Sequence, residues 1–187
     1  MTSSAKRCPT SNCNVSLIWA KEMDLRQSFV EGMSRAATFV SVITTDGEAG
    51  RFGVTVSSMT SVSADGEGPS LLVCVHHLSP AATAILKNRA FCANLLNHNQ
   101  QGISDLFSGR QKPEAGSRFD AVDWRAGQGG QPLLADASAS FECVLKTALL
   151  WETHYIIVGQ VQAVQLSDHP EALLYGQRSY RRAVHLP

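Results

Sequence analysis

The sequence predicts a mainly β domain, an antiparallel barrel or sandwich that carries a few short helices. Three observations lead to this prediction. Apolar and β-branched runs of strand length recur along the chain, short turn sequences such as Asp46-Gly47 separate most of them, and only two or three stretches have helical spacing. The 187 residues, 44% of them hydrophobic, are enough for one domain with a single core.

The N-terminal part predicts an extension followed by a helix. Residues 1–23 are rich in Ser, Thr and Asn and lack periodicity, so we expect a flexible extension, with the folded domain spanning residues 24–187. Leu25, Phe29 and Met33 recur at helical spacing, which predicts a short amphipathic helix that packs one face.

Strand character follows this helix. Thr38–Thr45 (TFVSVITT) and Arg51–Ser57 (RFGVTVS) flank the Asp46-Gly47 turn, and this arrangement predicts a hairpin. Ser70–His76 (SLLVCVH) is apolar nearly throughout and therefore predicts a strand that is buried on both faces.

The rest of the chain predicts two helices, three strands and a long loop. Ser79 is a good N-cap and Pro80 suits the first helical position, so a helix is expected as far as about Lys87. The other expected elements are a strand at Phe91–Leu96, a helix at Gln100–Phe107, a loop over 108–136, long strands at Ser138–Leu150 and His154–Leu166, and a short C-terminal segment.

The charge balance excludes several classes of function. Because 16 Lys and Arg oppose 16 Asp and Glu, the chain has no basic excess for binding nucleic acid or an anionic membrane. No apolar run approaches the ~20 residues of a membrane span, and no export signal is recognisable, so we expect a cytoplasmic protein. The charged fraction of 17% is low for a soluble domain and favours an oligomer.

Common catalytic signatures are missing from the sequence. It has no G-x-G-x-x-G after a strand, no P-loop, no H-E-x-x-H and no G-x-S-x-G. His76 and His77 are adjacent in a predicted strand, so their rings should point to opposite faces, and no metal site is expected. Cys74, Cys92 and Cys143 lie in apolar runs and are interpreted as buried free thiols of a reducing compartment.

Three segments have residues that suit a polar ligand. The strand end Thr55–Ser63 carries six hydroxyl groups in nine positions, although a solvent-facing edge strand would also explain them. Ser79–Thr83 lies where a strand turns into a helix, which suits a phosphate but is also ordinary helix capping. Asn94 is polar within an apolar strand and needs a partner, either a bulge in the sheet or the edge of a ligand.

Together with other segments, these carry a resemblance to a known family. The segments are FVEGMSRAATFVSVITTDG, GVTVSSMTSVS, SLLVCVHHLSPAAT, FCANLLNHNQ, Arg118-Phe119, FECVL and His154 before IIVGQV. In this order they resemble the flavin reductases, split-barrel flavin-binding proteins with Greek-key topology. The resemblance covers nearly all of residues 25–182. Within this family, the sequence looks like the reductase components of two-component monooxygenases that act on aromatic compounds such as 4-hydroxyphenylacetate and chlorophenol.

The resemblance implies roles for individual residues. His154 is implied as the catalytic residue beside the nicotinamide, although the Gly-Asp-His motif of the family reads Glu152-Thr153-His154 here and lacks the orienting carboxylate. Arg178 and Tyr180 are implied as contacts of the nicotinamide nucleotide. The implied flavin contacts are Thr55, Val56, Ser57 and Ser58 at the ring edge, Ser79, Ala81 and Thr83 at the phosphate, Asn94 and Leu95 against the flavin, and Arg118 and Phe119 near the phosphate or adenosine.

The function implied is an NAD(P)H-dependent flavin reductase. It would be a homodimer that transfers a hydride from NADH, or NADPH, to a weakly held FAD or FMN, with NADH and FAD favoured, and releases reduced flavin to a partner oxygenase. Such chemistry needs no triad or metal, because the two cofactors carry it. Two alternatives stay open: a protein of this fold that retains its flavin and reduces another substrate, and a non-catalytic flavin-binding module.

Overall fold

The computed structural model describes residues 24–184, so the predicted flexible extension, residues 1–23, lies outside the described residues. The helices are α1 (Leu25–Ser34), α2 (Pro80–Asn88) and α3 (Gln101–Ser108), and a 3-10 turn covers Arg118–Ala121. The strands are β1 (Thr38–Phe39), β2 (Ser41–Thr45), β3 (Phe52–Val56), β4 (Thr60–Ser63), β5 (Ser70–His76), β6 (Ala90–Leu95), β7 (Trp124–Ala126), β8 (Pro132–Leu134), β9 (Ala139–Trp151), β10 (His154–Leu166), β11 (Leu173–Gly176) and β12 (Ser179–Arg182).

Seven strands form the main sheet, in the order β3-β2-β6-β9-β10-β5-β4, and every neighbouring pair is antiparallel. Its two edge strands, β3 and β4, are consecutive in the chain and separated only by residues 57–59. A flat sheet of seven strands would hold its edges about 29 Å apart. The link from Val56 to Thr60 spans at most about 14 Å. The sheet must therefore curl until its edges approach each other, which gives the barrel that the sequence predicts.

Two smaller sheets complete the fold and correct three predictions. The predicted strand Thr38–Thr45 is divided at Val40, because β1 pairs with β11 whereas β2 pairs with β3 and β6. The expected loop over 108–136 contains the 3-10 turn and the short β7–β8 hairpin. The C-terminal segment also forms a hairpin, β11–β12, which periodicity did not reveal because each strand has only four residues.

The core has two clusters of apolar side chains, and β5 contributes to one of them. Leu71, Val73 and Val75 are buried in that cluster, whereas the intervening Leu72 and Cys74 are only half-buried. The prediction that β5 is buried on both faces is therefore wrong, because the opposite face of this curled sheet is not fully covered. The second cluster consists of Val40, Val42, Leu96, Leu106, Phe107, Phe119, Leu134 and Leu173.

The prediction of buried free thiols is confirmed for two of the three cysteines. Cys74, Cys92 and Cys143 are all free thiols, but only Cys92 and Cys143 are buried. Burial raises the pKa of Cys143 to about 12 and raises the pKa of Cys92 further. Both thiols consequently remain protonated at neutral pH and behave as apolar packing groups.

Helix α1 forms where the spacing predicts it, but none of its residues is buried. Leu25 is 86% exposed, Phe29 65% and Met33 55%. Among residues 24–184 these side chains are not covered, so the prediction that the helix packs one face is not met there. Within residues 24–184, no helix is long and apolar enough to span a membrane.

Gly159 lies where β10 packs closely on the Phe91 ring. A register shift lies between Val158 and Gly159 on β10, and a Cβ at Gly159 would come within 2.5 Å of the Phe91 ring and 2.8 Å of Cys143 Cβ. Only glycine leaves room for the Phe91 ring at this position.

Candidate functional site

The link from β3 to β4 joins the two edge strands of the main sheet and holds the hydroxyl-rich segment. Thr55 Oγ1 donates a hydrogen bond to Ser104 O (2.8 Å), and Ser58 Oγ both donates to Cys74 O and accepts from Cys74 N (3.0 Å each). The side chain of Val56 is buried, so only its backbone can meet a ligand. Ser57 is exposed, and its hydroxyl has no hydrogen-bond partner within residues 24–184. Of the hydroxyls at Thr55, Ser57 and Ser58, the one at Ser57 is thus available to a ligand.

The start of α2 provides a second group of polar atoms. Ser79 is the N-cap residue and Pro80 follows it, as the sequence predicts, yet the Ser79 hydroxyl makes no capping hydrogen bond. Ala81 is buried and presents only its backbone, whereas Thr83 is exposed on the next turn. The first turn of a helix has unpaired N–H groups and a positive dipole end, and a free Ser hydroxyl beside them suits a phosphate.

Three histidines meet close to this helix start. His154 opens β10 directly opposite His76 on β5, and their ring centroids lie 5.0 Å apart in an edge-to-face arrangement. The centroid of His77 lies 5.0 Å from that of His76. The prediction that the rings of His76 and His77 point to opposite faces is therefore wrong. His77 follows the last residue of β5, so strand alternation does not apply to it.

Hydrogen bonds fix the orientation of two of these rings. His76 Nδ1 accepts a hydrogen bond from Leu78 N (3.1 Å), so the neutral ring carries its proton on Nε2. His154 Nδ1 lies 2.9 Å from Thr153 Oγ1. Thr153, which stands in the sequence where the family's Gly-Asp-His motif has its aspartate, thus contacts the His154 ring through its hydroxyl. Among the described residues, no group of three His, Cys, Asp or Glu side chains could hold a metal ion.

A cleft lies between the end of α3 and the β11–β12 hairpin. Arg110 donates hydrogen bonds to Tyr175 Oη (3.1 Å) and Tyr180 Oη (3.4 Å), and it lies 3.5 Å from Asp105. Tyr180 Oη donates to Asp105 Oδ1 (2.6 Å) and lies 2.9 Å from Ser104 Oγ. Burial and the bond to Asp105 raise the pKa of Tyr180, so its hydroxyl remains a donor at neutral pH.

Asn94 and Leu95 do not present polar groups to a cavity. Asn94 is fully buried, and its amide nitrogen donates to Val42 O and Thr44 Oγ1 (3.1 Å each). Its oxygen accepts from Leu134 N (3.0 Å) and Ser140 Oγ (2.9 Å). Asn94 thus fastens β8 to the main sheet, and all its hydrogen-bonding capacity is used internally. The partners that a buried amide needs are therefore other groups of the protein. The neighbouring Leu95 is half-buried and pairs with Ser41 on β2 and Ala139 on β9.

Arg118 and Phe119 lie in the 3-10 turn rather than in an open loop. Phe119 is buried and packs edge-to-face on Phe107 and Trp124, with centroids 5.1 and 5.9 Å apart. Its side chain is part of the core, and the ligand contact that the resemblance implies stays a prediction. Arg118 is half-buried in the same turn.

Four residues of this region were missed in the sequence: Ser104, Asp105, Arg110 and Tyr175. Arg110 directly follows Gly109, the left-handed C-cap of α3, which places it at the rim of the cleft. Tyr175 and Tyr180 face each other across the β11–β12 hairpin in register. The Tyr pair is visible in the sequence only once the hairpin is known, because five residues of separation fits neither a helix face nor a single strand face.

Comparison with known proteins decides the family. Residues 33–183 match the family described as flavin reductase like domain. The chain belongs to this flavin reductase family. The match covers most of the chain and confirms the family that the sequence resembles.

Relatives of this flavin reductase agree with the assignment. It is 39% identical over 160 residues to FMN reductase (NADH) RutF 1 of Methylorubrum extorquens, covering 86% of this chain and 78% of that protein. BorF, described as the flavin reductase component of a bacterial two-component tryptophan halogenase, has a TM-score of 0.75 at 32% identity, covering 84% of this chain and 97% of BorF.

A third similar protein was solved with ligand fragments. The NADH:FAD oxidoreductase SgcE6 of Streptomyces globisporus, in complex with NAD and FAD fragments, has a TM-score of 0.76 at 27% identity, covering 85% of this chain and 93% of SgcE6. The shared fold confirms the predicted mainly β, split-barrel architecture of this flavin reductase.

Proposed function

We propose that the chain is an NADH-dependent flavin reductase that reduces a diffusible flavin and supplies it to a partner oxygenase. The observation that carries this proposal is the family match over residues 33–183. Two of the similar proteins are named FMN reductase (NADH) and the flavin reductase component of a two-component halogenase. We place the enzyme in the cytoplasm, since Cys74, Cys92 and Cys143 are free thiols and NADH is a cytoplasmic reductant.

The polar atoms of the site fit a flavin mononucleotide. When bound, the flavin accepts a hydride at its ring, and the nicotinamide supplies it. The exposed hydroxyl of Ser57 and the backbone of Thr55–Ser58 would hold the polar edge of the ring. The uncommitted hydroxyl of Ser79, the hydroxyl of Thr83 and the start of α2 would hold the phosphate. No basic side chain is required, which agrees with the zero net charge.

We assign the nicotinamide side of the site to His154. Its ring is exposed, is fixed through Thr153 on one nitrogen, and meets the edge-to-face ring of His76 at a centroid distance of 5.0 Å. These contacts hold the imidazole in one orientation before the substrate arrives. Pre-orientation of this kind lowers the barrier by removing the entropy cost of alignment in the transition state.

The relatives bear on the choice between FMN and FAD. The curated relative with 39% identity is named FMN reductase (NADH), whereas the Streptomyces protein is named NADH:FAD oxidoreductase. The Ser57 and Ser79 groups address only the ring and first phosphate, which both flavins share. We propose that both flavins are accepted, and that any preference arises outside these groups.

NADH oxidation measured against flavin concentration tests the proposed function. The rate should rise with added FMN or FAD well beyond one flavin per chain, because each reduced flavin leaves. A rate that saturates at stoichiometric flavin would instead support a protein that retains its flavin, and no NADH oxidation would support a non-catalytic binding module.

Replacing Ser79 with Asp should weaken flavin binding. The new carboxylate would lie where the phosphate is bound and would repel it, so the dissociation constant for FMN should rise at least about tenfold, which corresponds to ~1.4 kcal/mol. Fluorescence titration of FMN measures this. Ser79→Asn has nearly the same shape without the charge and is the matched control. Equal affinity of the Asp and Asn variants would remove Ser79 from the phosphate site.

We further propose that the enzyme is a homodimer. The two long strands expose several large apolar side chains that a soluble monomer would rarely leave in water. They are Val144, Leu149, Leu150 and Trp151 on β9 and Val164 and Leu166 on β10.

Leu149→Asp should therefore convert the dimer to a monomer in sedimentation equilibrium, because a buried unpaired carboxylate would oppose association. Val62→Asp, at an exposed apolar position on β4, should leave the dimer intact. A monomeric wild-type protein, or a Leu149→Asp variant that still dimerises, would contradict this surface.

A further inference from the structure

The hydroxyl of Ser58 continues the pairing between β4 and β5 beyond the first residue of β4. Thr60 opens β4 and pairs with Leu72 on β5, so Ser58 stands opposite Cys74 in the same register. At this position the side chain takes over from the main chain. Ser58 Oγ accepts a hydrogen bond from Cys74 N and donates one to Cys74 O, at 3.0 Å each. Ser58 therefore fastens the link between β3 and β4 to β5 by its side chain.

The direction of the main chain at Cys74 explains why this contact forms. His77 N donates to Thr153 O (2.9 Å), so these two residues form a hydrogen-bonded pair in the antiparallel register of β5 and β10. Because such pairs alternate along a strand, Cys74 turns its N–H and C=O groups to the other side, where β4 lies. A half-buried N–H and C=O need partners. One hydroxyl can serve both groups, because it donates and accepts, whereas an apolar side chain can serve neither.

The contact with Cys74 uses the only proton of the Ser58 hydroxyl. It is donated to Cys74 O, so the side chain has none left for a carbonyl of the flavin ring. The residues around Ser58 are also held internally: Val56 is buried, and Met59 packs against the core cluster to which β5 contributes. Ser57 is thus presented outward from a segment that is anchored on both sides.

β5 connects this anchor to the imidazole rings of the site. Cys74 lies two residues before His76, so their side chains share one face of β5. In the register with β10, Cys74 pairs with Ile156 and His76 pairs with His154. The rings of His76 and His154 meet at a centroid distance of 5.0 Å. The Ser58 hydroxyl therefore joins the segment assigned to the flavin ring to the strand that carries the rings on the nicotinamide side.

We propose that Ser58 is a positioning residue that sets the spacing between the flavin ring edge at Ser57 and the imidazole of His154. The proposal rests on the proposed function, because it takes the flavin ring at Ser57 and the nicotinamide at His154. Hydride transfer requires that the two rings are held close and aligned, and a small misplacement lowers the rate strongly. This role differs from the flavin contact that the resemblance implies for Ser58.

Amide hydrogen exchange tests the Ser58 contact without flavin or NADH. The N–H of Cys74 should exchange at least about tenfold faster in Ser58→Ala, because its acceptor is gone, and Ser58→Thr should restore the wild-type rate. Ser167→Ala is the matched control. Ser167 Oγ likewise accepts from His169 N (3.1 Å) and donates to His169 O (3.5 Å), in the turn after β10, so its loss should not change exchange at Cys74. Unchanged exchange at Cys74 in Ser58→Ala overturns the proposal.

Steady-state kinetics and fluorescence titration then test the positioning role. Ser58→Ala should lower kcat for NADH oxidation at saturating FMN about tenfold, whereas the dissociation constant for FMN should change less than about twofold. Ser58→Thr should recover most of kcat, and Ser167→Ala should match the wild type in both quantities. Normal kcat with weakened FMN binding in Ser58→Ala would make Ser58 a flavin contact and overturn the proposal. So would a kcat that falls only in proportion to the unfolded fraction of the variant.

Ser58→Cys decides the question where the Ala variant does not fold. The thiol has nearly the shape of the hydroxyl group but donates and accepts weakly, so exchange at Cys74 should quicken and kcat should fall about threefold. Faster exchange with wild-type kcat overturns the positioning role. A wild type that oxidises NADH with neither FMN nor FAD refutes the proposed function and the positioning role with it, whereas exchange at Cys74 still decides the Ser58 contact.

Discussion

Replacing His154 with Ala should lower kcat for NADH oxidation about ten- to a hundredfold while leaving the affinity for FMN unchanged. The imidazole is held by Thr153 and His76 and is not among the groups assigned to the flavin phosphate. Its loss removes alignment of the hydride donor and not a flavin contact. Stopped-flow reduction of FMN by NADH, together with FMN fluorescence titration, measures the two quantities separately.

His169→Ala is the matched control for this substitution. His169 is exposed in the turn after β10 and borders a different cavity, so its replacement should change neither kcat nor flavin affinity. Thr153→Val should reduce kcat by less than His154→Ala, since it frees the ring without removing it. A His154→Ala variant with weakened FMN binding and normal kcat would move His154 from the nicotinamide to the flavin.

Replacing Asn94 with Leu should destabilise the fold by about 3–5 kcal/mol. The volume is nearly conserved, but the buried N–H of Leu134 and the hydroxyl of Ser140 lose the oxygen that accepts their hydrogen bonds. The carbonyl of Val42 loses a donor as well. Each buried polar group without a partner costs roughly 1–3 kcal/mol. Urea unfolding measures the change in the free energy of unfolding.

The same substitution at Asn99 is the control. Asn99 is exposed and its side chain supports no strand, so Asn99→Leu should change the free energy of unfolding by less than about 0.5 kcal/mol. If Asn94→Leu were as stable as Asn99→Leu, the network around Asn94 would not hold β8 to the sheet. If it kept its stability but lost flavin binding, the implied flavin contact of Asn94 would be restored.

Local patterns predicted the longer elements well. The Asp46-Gly47 turn and its flanking runs give the β2–β3 hairpin, and Ser79-Pro80 gives the start of α2, because turn and capping chemistry depends on neighbouring residues alone. The same patterns missed β7, β8, β11 and β12, which have three or four residues each. Strands this short are defined by their partners, and pairing between distant segments leaves little periodicity in either one.

The candidate site was predictable in part for the same reason. Ser57 and Ser79 belong to contiguous motifs that the sequence shows directly, whereas Arg110 and Tyr175 lie 65 residues apart and meet only through the fold. Asn94 and Phe119 were drawn into the site by the family pattern, but the structure gives them internal partners. A buried polar group needs a hydrogen-bond partner, but the amino-acid sequence alone does not show whether that partner is a ligand or another group of the protein.

The central claim is that the enzyme reduces flavin that then leaves it, and anaerobic ultrafiltration after mixing with excess NADH and FMN tests this most directly. Reduced FMN should appear in the filtrate in many-fold excess over the chain, at a rate that falls in the His154→Ala variant. Reduced flavin that stays with the protein at one per chain, or a filtrate that contains only oxidised FMN, would contradict the account.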